Sequence, residues 1–176
     1  INLSATDLYD VEVPELISQA LSTWNVSPER LCLEITETSM IDDAEGVSVS
    51  AVLGRLRALG LSLSIDDFGT GFSGMSRLKR LAVQEVKIDR SFVIDLLSSS
   101  RDREIAASII DLSHRLGVEV TAEGVEDEQT AGLLAEMACD HIQGFLYSKA
   151  LPPADFVAWV RSRAGIGAAD GNMGEG

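Results

Sequence analysis

The chain has 176 residues, 45% of them hydrophobic and 24% charged, which suffices for one sizeable core and is ordinary for a soluble globular domain. With 14 basic residues against 28 acidic ones the net charge is −14, which repels nucleic acid polymers and anionic membrane surfaces and makes metal ions necessary for binding a small anionic ligand. No apolar run approaches the ~20 residues that span a bilayer, so this segment is expected to make no membrane contact, and Cys32 and Cys139, far apart and outside any CxxC pair, read as free thiols of a reducing, cytoplasmic compartment.

The chain opens at Ile1 on a strand-like run, INLS (1–4), which reads as a piece of a longer protein whose membrane anchor, if it has one, lies elsewhere. An amphipathic helix follows at VPELISQALSTW (13–24), with Pro14 near its start. The strand LCLEIT (31–36) leads to a helix over DAEGVSVSAVLGRLRALG (43–60) that stops at Gly60. LSLSID (61–66) is the third strand and EVKID (85–89) the fourth. The helix REIAASIIDLSHRLG (103–117) separates EVKID from VEVTAEG (118–124). DEQTAGLLAEMA (127–138), HIQGFL (141–146) and PADFVAWVRSR (153–163) complete the series, and the Gly-rich residues 164–176 form a flexible tail. Strands alternating with helices imply an α/β fold with a parallel sheet, doubly wound or closed as a barrel. Trp24 and Trp159 read as packing residues, His114 as a surface residue and His141 as a packing residue.

Both architectures place their chemistry at the carboxyl ends of the strands. There stand Asn2, Glu34, Asp66 with Asp67, Lys87, Glu123 and Gln143, between about 20 and 36 residues apart. In a closed barrel such ends converge on one axis, whereas an open sheet spreads them along a line. The convergence favours a (β/α)8 barrel, which needs about two further βα units, expected before Ile1. Asn2, Glu34, Asp66, Asp67 and Glu123 are hard oxygen donors with no Cys or His among them, a set that selects Mg²⁺ or Mn²⁺ over structural zinc. Two such ions about 4 Å apart hold the attacking water and the leaving oxygen of a phosphoryl displacement. Lys87, between Val86 and Ile88, is costly to bury unpaired and could orient that water or offset developing phosphate charge. Two other readings are weaker. The Asp67-Phe68-Gly69 triplet resembles a kinase signature but lacks the accompanying Gly-rich loop and HRD segment. A barrel using Lys87 as a base for proton abstraction explains neither the paired aspartates nor the loop after them.

The segments NLS, LEITE, DDFGTGFSGMSRLKRLAVQEVKIDRSFV, AEGVE and CDHIQGFLYSKALP, in this order over residues 1–153, resemble the EAL domain, a family of cyclic-di-GMP phosphodiesterases of bacterial signalling with a modified (β/α)8 barrel. The resemblance implies an EAL-type phosphodiesterase domain over residues 1–163 and hydrolysis of cyclic di-GMP to linear 5′-pGpG with two Mg²⁺ or Mn²⁺ ions and inhibition by Ca²⁺. It also implies a homodimer through the loop after Asp67 and fusion to sensory or GGDEF-type domains. Residue by residue, Asn2, Glu34 and Asp66 resemble ligands of one metal, with Asp66 shared, and Asp67 and Glu123 those around the second. Lys87 resembles the holder of the catalytic water, Gln143 and Glu126 supporting or substrate-binding groups, and Glu37 the anchor of the mobile loop Phe68, Gly69, Thr70, Gly71, Phe72 and Ser73. The Glu-Ala-Leu strand that names the family, with its metal-binding glutamate, belongs to the two units absent before Ile1. That absence leaves open an EAL-like module that binds cyclic di-GMP, or a partner protein, without turnover.

Overall fold

A computed structural model describes residues 1–40, 49–71 and 83–163. It divides into two compact units, Ile1–Leu146 and Tyr147–Gly176. The expected tail over 164–176 lies outside the described residues, as do Phe72 and Ser73.

The first unit carries six parallel strands: β1 (Asn2–Leu3), β2 (Cys32–Thr36), β3 (Ser62–Phe68), β4 (Glu85–Ile88), β5 (Glu119–Glu123) and β6 (His141–Gln143). Each pairs with the next in sequence, giving the order β1-β2-β3-β4-β5-β6. A doubly wound sheet reverses its order at a switch point; this sheet never does, and sequential neighbours are what a (β/α)8 barrel demands. Among the described residues no helix is long and apolar enough to cross a membrane.

Period-two alternation sorts the strand residues into two faces. Leu33 and Ile35, Leu63 and Ile65, Val86 and Ile88, and Val120 and Ala122 are buried in the core. Residues of the other parity are polar: Glu34, Ser64, Asp66, Glu85, Lys87, Thr121 and Glu123. One face therefore supplies the cohesion under the helices, and the other collects the charged groups.

The helices of this unit are α1 (Ala5–Tyr9), α2 (Val13–Trp24), α3 (Val49–Ala58), α4 (Arg90–Val93), α5 (Ser100–Arg115) and α6 (Glu128–Glu136). Their ends follow local chemistry. Ser4 and Asp7 form a capping box on α1, Ser99 accepts from Asp102 N on α5, and Asp127 accepts from Thr130 N on α6. Short elements escape a reading by periodicity, which explains two α-helices that the sequence did not announce: α1, which cuts the first strand off at Leu3 because Ser4 is its cap, and the single turn α4, capped by Asp89 through Ser91 N at 3.0 Å.

Three expectations are corrected. β3 runs on to Phe68, which is buried and pairs with Ile88, so the loop begins at Gly69. Trp24 is 78% exposed, because it is the last residue of α2, beside the left-handed cap Asn25. His141 is exposed rather than packed and faces Glu119 at 3.4 Å. His114 lies at the surface, as expected, where its Nε2 meets Asp140 Oδ2 at 2.8 Å. Cys32 and Cys139 are free thiols. In the second unit α7 (Pro153–Arg163) stacks Phe156 on Trp159, and the Arg163 guanidinium lies over both Trp159 and Tyr147.

Candidate functional site

The charged face of the sheet holds a lysine between two glutamates. Lys87 Nζ lies 2.7 Å from Glu34 Oε1 and 2.9 Å from Glu123 Oε1, with the Lys87 side chain only 6% exposed. Burial alone would push this ammonium down, but hydrogen bonds and charge attraction from both glutamates win and hold it above the usual lysine range. Glu123 moves the other way from what pairing alone would give: its burial, with Asp66 and Glu34 adding repulsion, outweighs Lys87 and raises its carboxyl. One ammonium therefore serves two carboxylates, and a third lies close enough to be felt.

Asp66 stands opposite Thr36 in the β2–β3 register. Between Ile65 and Phe68 the pairing of β3 with β4 shifts, and Asp67 adopts φ +54, in the left-handed region. Such an irregularity turns a side chain out of the plain up-and-down alternation of a strand. Adjacent aspartates that a regular strand would send to opposite faces are thus redirected, and Asp67 meets Asp89. Burial, then repulsion from Asp66 and Asp89, raises the Asp67 carboxyl. Asp89 was not among the residues singled out from the sequence. Its signal was available: two positions beyond Lys87, it follows the strand period that put Lys87 on the charged side.

Glu37, 2% exposed, accepts from Gly69 N at 2.9 Å and Gly71 N at 3.1 Å through the same oxygen. A side chain at position 71 would crowd that carboxylate, and one at Gly69 would stand 2.9 Å from the Phe92 ring. Thr70 closes the turn by donating to Asp67 O at 2.8 Å. Asn2 pairs with Glu34 in the β1–β2 register and Gln143 with Glu123 in the β5–β6 register, which brings both to the same end of the sheet. Gln143 also lines a pocket of about 180 Å³ with Arg90, Glu123, Gly124, Glu126, Gly144 and Phe145. Glu126 is held there by Arg90, Nη2 to Oε1 at 2.7 Å.

Among the described residues no three His, Cys, Asp or Glu side chains stand close enough to hold a metal ion as they are. The donor set nonetheless fits a hard divalent cation. It is all oxygen and its carboxylates outnumber the single buried lysine; burial, with neighbouring carboxylates adding repulsion, raises the carboxyls of Asp67 and Glu123. Chemically, the arrangement is net negative around Lys87 and suits binding hard cations, through which an anionic group could then be held.

The sequence matches the EAL domain over residues 1–150. It is 39% identical over 162 residues to the cyclic di-GMP phosphodiesterase NbdA of Pseudomonas aeruginosa, covering 92% of this chain and 20% of that protein. Among solved structures, the EAL domain of Mycobacterium smegmatis DcpA superposes with a TM-score of 0.85 at 36% identity, covering 92% of this chain and 72% of that one. Klebsiella pneumoniae BlrP1, solved as a manganese and cyclic-di-GMP complex, gives 0.76 at 34% identity, covering 85% and 38%. The chain thus spans about a fifth of the length of NbdA, and its sequential parallel sheet corresponds to part of the EAL domain's TIM-like barrel. With the matched motifs, the strand order and the polar strand ends in agreement, the chain belongs to the EAL domain family.

Proposed function

We propose that this chain forms the core of a phosphodiesterase that hydrolyses one phosphodiester bond of cyclic di-GMP. The observation that carries the reading is Lys87 clasped by Glu34 and Glu123 beside Asp66, Asp67 and Asp89. Water adds to one phosphorus, the P–O3′ bond breaks, the freed 3′-oxygen takes a proton, and linear 5′-pGpG results. Asn2, Glu34 and Asp66 would hold one Mg²⁺ or Mn²⁺ ion, and Asp66, Asp67 and Glu123 a second. When bound, such ions supply positive charge at the scissile phosphate.

The remaining work falls to the chain. Lys87, clasped by Glu34 and Glu123, is a donor and a point charge at the phosphate or the attacking water. Glu37 ties Gly69 and Gly71 and so holds the turn that follows the paired aspartates. Glu126 and Gln143 line the adjoining pocket, where they support or bind the substrate. We assign the loop after Asp67 to a homodimer contact, the rest of the protein's length to sensory or GGDEF-type domains, and the site to the cytoplasm, where cyclic di-GMP acts. Inhibition by Ca²⁺ follows from its looser, larger coordination in a site shaped for Mg²⁺ or Mn²⁺.

The test is direct. The full-length protein, incubated with cyclic di-GMP and Mn²⁺, should yield pGpG by chromatography, and Asp66→Asn should abolish it. Binding by calorimetry without any pGpG would replace hydrolysis with a receptor role.

A further inference from the structure

Arg90 opens α4 directly after Asp89, and nothing in the two-metal scheme requires it. Its surroundings are nevertheless specific. The side chain crosses over Gly124: a Cβ there would lie 2.3 Å from Arg90 Cγ and 2.8 Å from its Cδ. Gly124 also sits at φ +73, so two independent constraints, the backbone angle and the passing arginine stem, call for glycine at one position. Beyond Gly124 the guanidinium reaches Glu126 at 2.7 Å.

Fold stability does not explain this arrangement. The Arg90 and Glu126 side chains are 53% and 49% exposed, and ion pairs so open to water contribute little to folding. The pair does, however, stand on the rim of the pocket that also contains Glu123 and Gln143. The base of that rim is rigid. Gly144 is seated on the Val125 backbone, Val125 N donates to Gln143 O at 3.1 Å and Leu146 N to Val125 O at 3.0 Å. Glu126 follows Val125, so its backbone is fixed, while its side chain is free to swing except where Arg90 holds it. Among the described residues lining the pocket Arg90 is the one cation.

We propose that Arg90 is a positioning residue for substrate binding, holding the Glu126 carboxylate toward the pocket and offsetting its charge where a doubly anionic dinucleotide must enter. Arg90 acts through Glu126, and so governs affinity more than the chemical step. The inference rests on the cyclic-di-GMP reading above.

The experiment is a double-mutant cycle on the full-length protein with Arg90→Met, Arg90→Lys, Glu126→Gln and the Met/Gln double variant. KM and kcat for cyclic di-GMP are measured in Mn²⁺, and the dissociation constant by calorimetry in Ca²⁺, where turnover stops. Arg90→Met keeps a stem over Gly124 and should leave the melting temperature in place while raising KM and Kd about fivefold, with a smaller change in kcat. Arg90→Lys should recover most of the affinity. In the Glu126→Gln background, Arg90→Met should add less than twofold. An undiminished effect in that background overturns the proposal, because Arg90 would then meet the ligand itself. A fall in melting temperature with kcat and KM worsening together overturns it in favour of a structural role, as does a Kd unchanged in Arg90→Met. If the parent protein binds without producing pGpG, hydrolysis fails as a reading while the Kd cycle still decides the role of Arg90.

Discussion

Replacing Lys87 with Met leaves Glu34 and Glu123 facing each other without their shared cation. The glutamate side chains are 23% and 20% exposed, so they are neither fully dry nor well hydrated. Removing one partner of a fully buried ion pair costs 3–5 kcal/mol, and the partial exposure here brings the expected loss to about 2–3 kcal/mol in metal-free protein. The pH dependence carries a definite sign. In the parent, Lys87 is held above the usual lysine range, so its contribution is lost only as pH rises through that raised value and is constant between about pH 5 and 8. In Lys87→Met Glu123 loses the ammonium that opposed the effect of its burial, and its carboxyl, already raised, rises further. A carboxyl raised in the folded state favours folding at low pH, so the deficit should shrink as pH falls from 8 toward 5. Urea unfolding of the full-length protein in EDTA at several pH values measures it. Equal stability at pH 7.5, or a deficit independent of pH, would refute the account of Lys87 as the shared counter-ion.

Glu37→Gln keeps an acceptor for Gly69 N and Gly71 N but removes its charge, about 1 kcal/mol, so amide exchange at these two glycines should quicken about fivefold; unchanged exchange would show that Glu37 does not hold the turn. Gly144→Ala would place a methyl 2.0 Å from Val125 O and 2.4 Å from Val125 N, backbone atoms that cannot step aside, and should cost at least about 3 kcal/mol by urea unfolding; a cost under about 1 kcal/mol would mean the two loops are not locked together. Asp140 accepts from His114 Nε2 and Val120 N, which outweigh its burial and hold its carboxyl below the ordinary range. Asp140→Asn should therefore cost about 1 kcal/mol at pH 7, a difference that fades as pH falls through the lowered folded value; a cost unchanged in acid would contradict it.

The strand ends were legible because their signal is local: apolar residues at every second position mark the buried face, and whatever polar residue ends the run marks the charged one. Glu34, Lys87 and Glu123 follow from that alone. What the sequence hid depends on tertiary geometry. Phe68 looked like the first loop residue because the period-two reading ends at the paired aspartates, yet the strand runs on through the register shift to Phe68. Arg90 and Glu126, 36 residues apart, declare no relation until the β4 and β5 loops are brought side by side. Trp24 misleads for a different reason, since its size suggests packing while its place at a helix end exposes it.

The left-handed Asp67 has a consequence for anyone selecting this protein for heat resistance. A glycine at that position would relieve the backbone and remove a carboxylate repelled by Asp66 and Asp89, on the order of 1 kcal/mol for the backbone alone. Selection on melting temperature should therefore drift toward Asp67→Gly, enriching variants that last longer and, if the proposed role of Asp67 holds, do less. Hardiness and the proposed metal-binding role pull in opposite directions at this one residue, so a stability screen should carry an activity readout here.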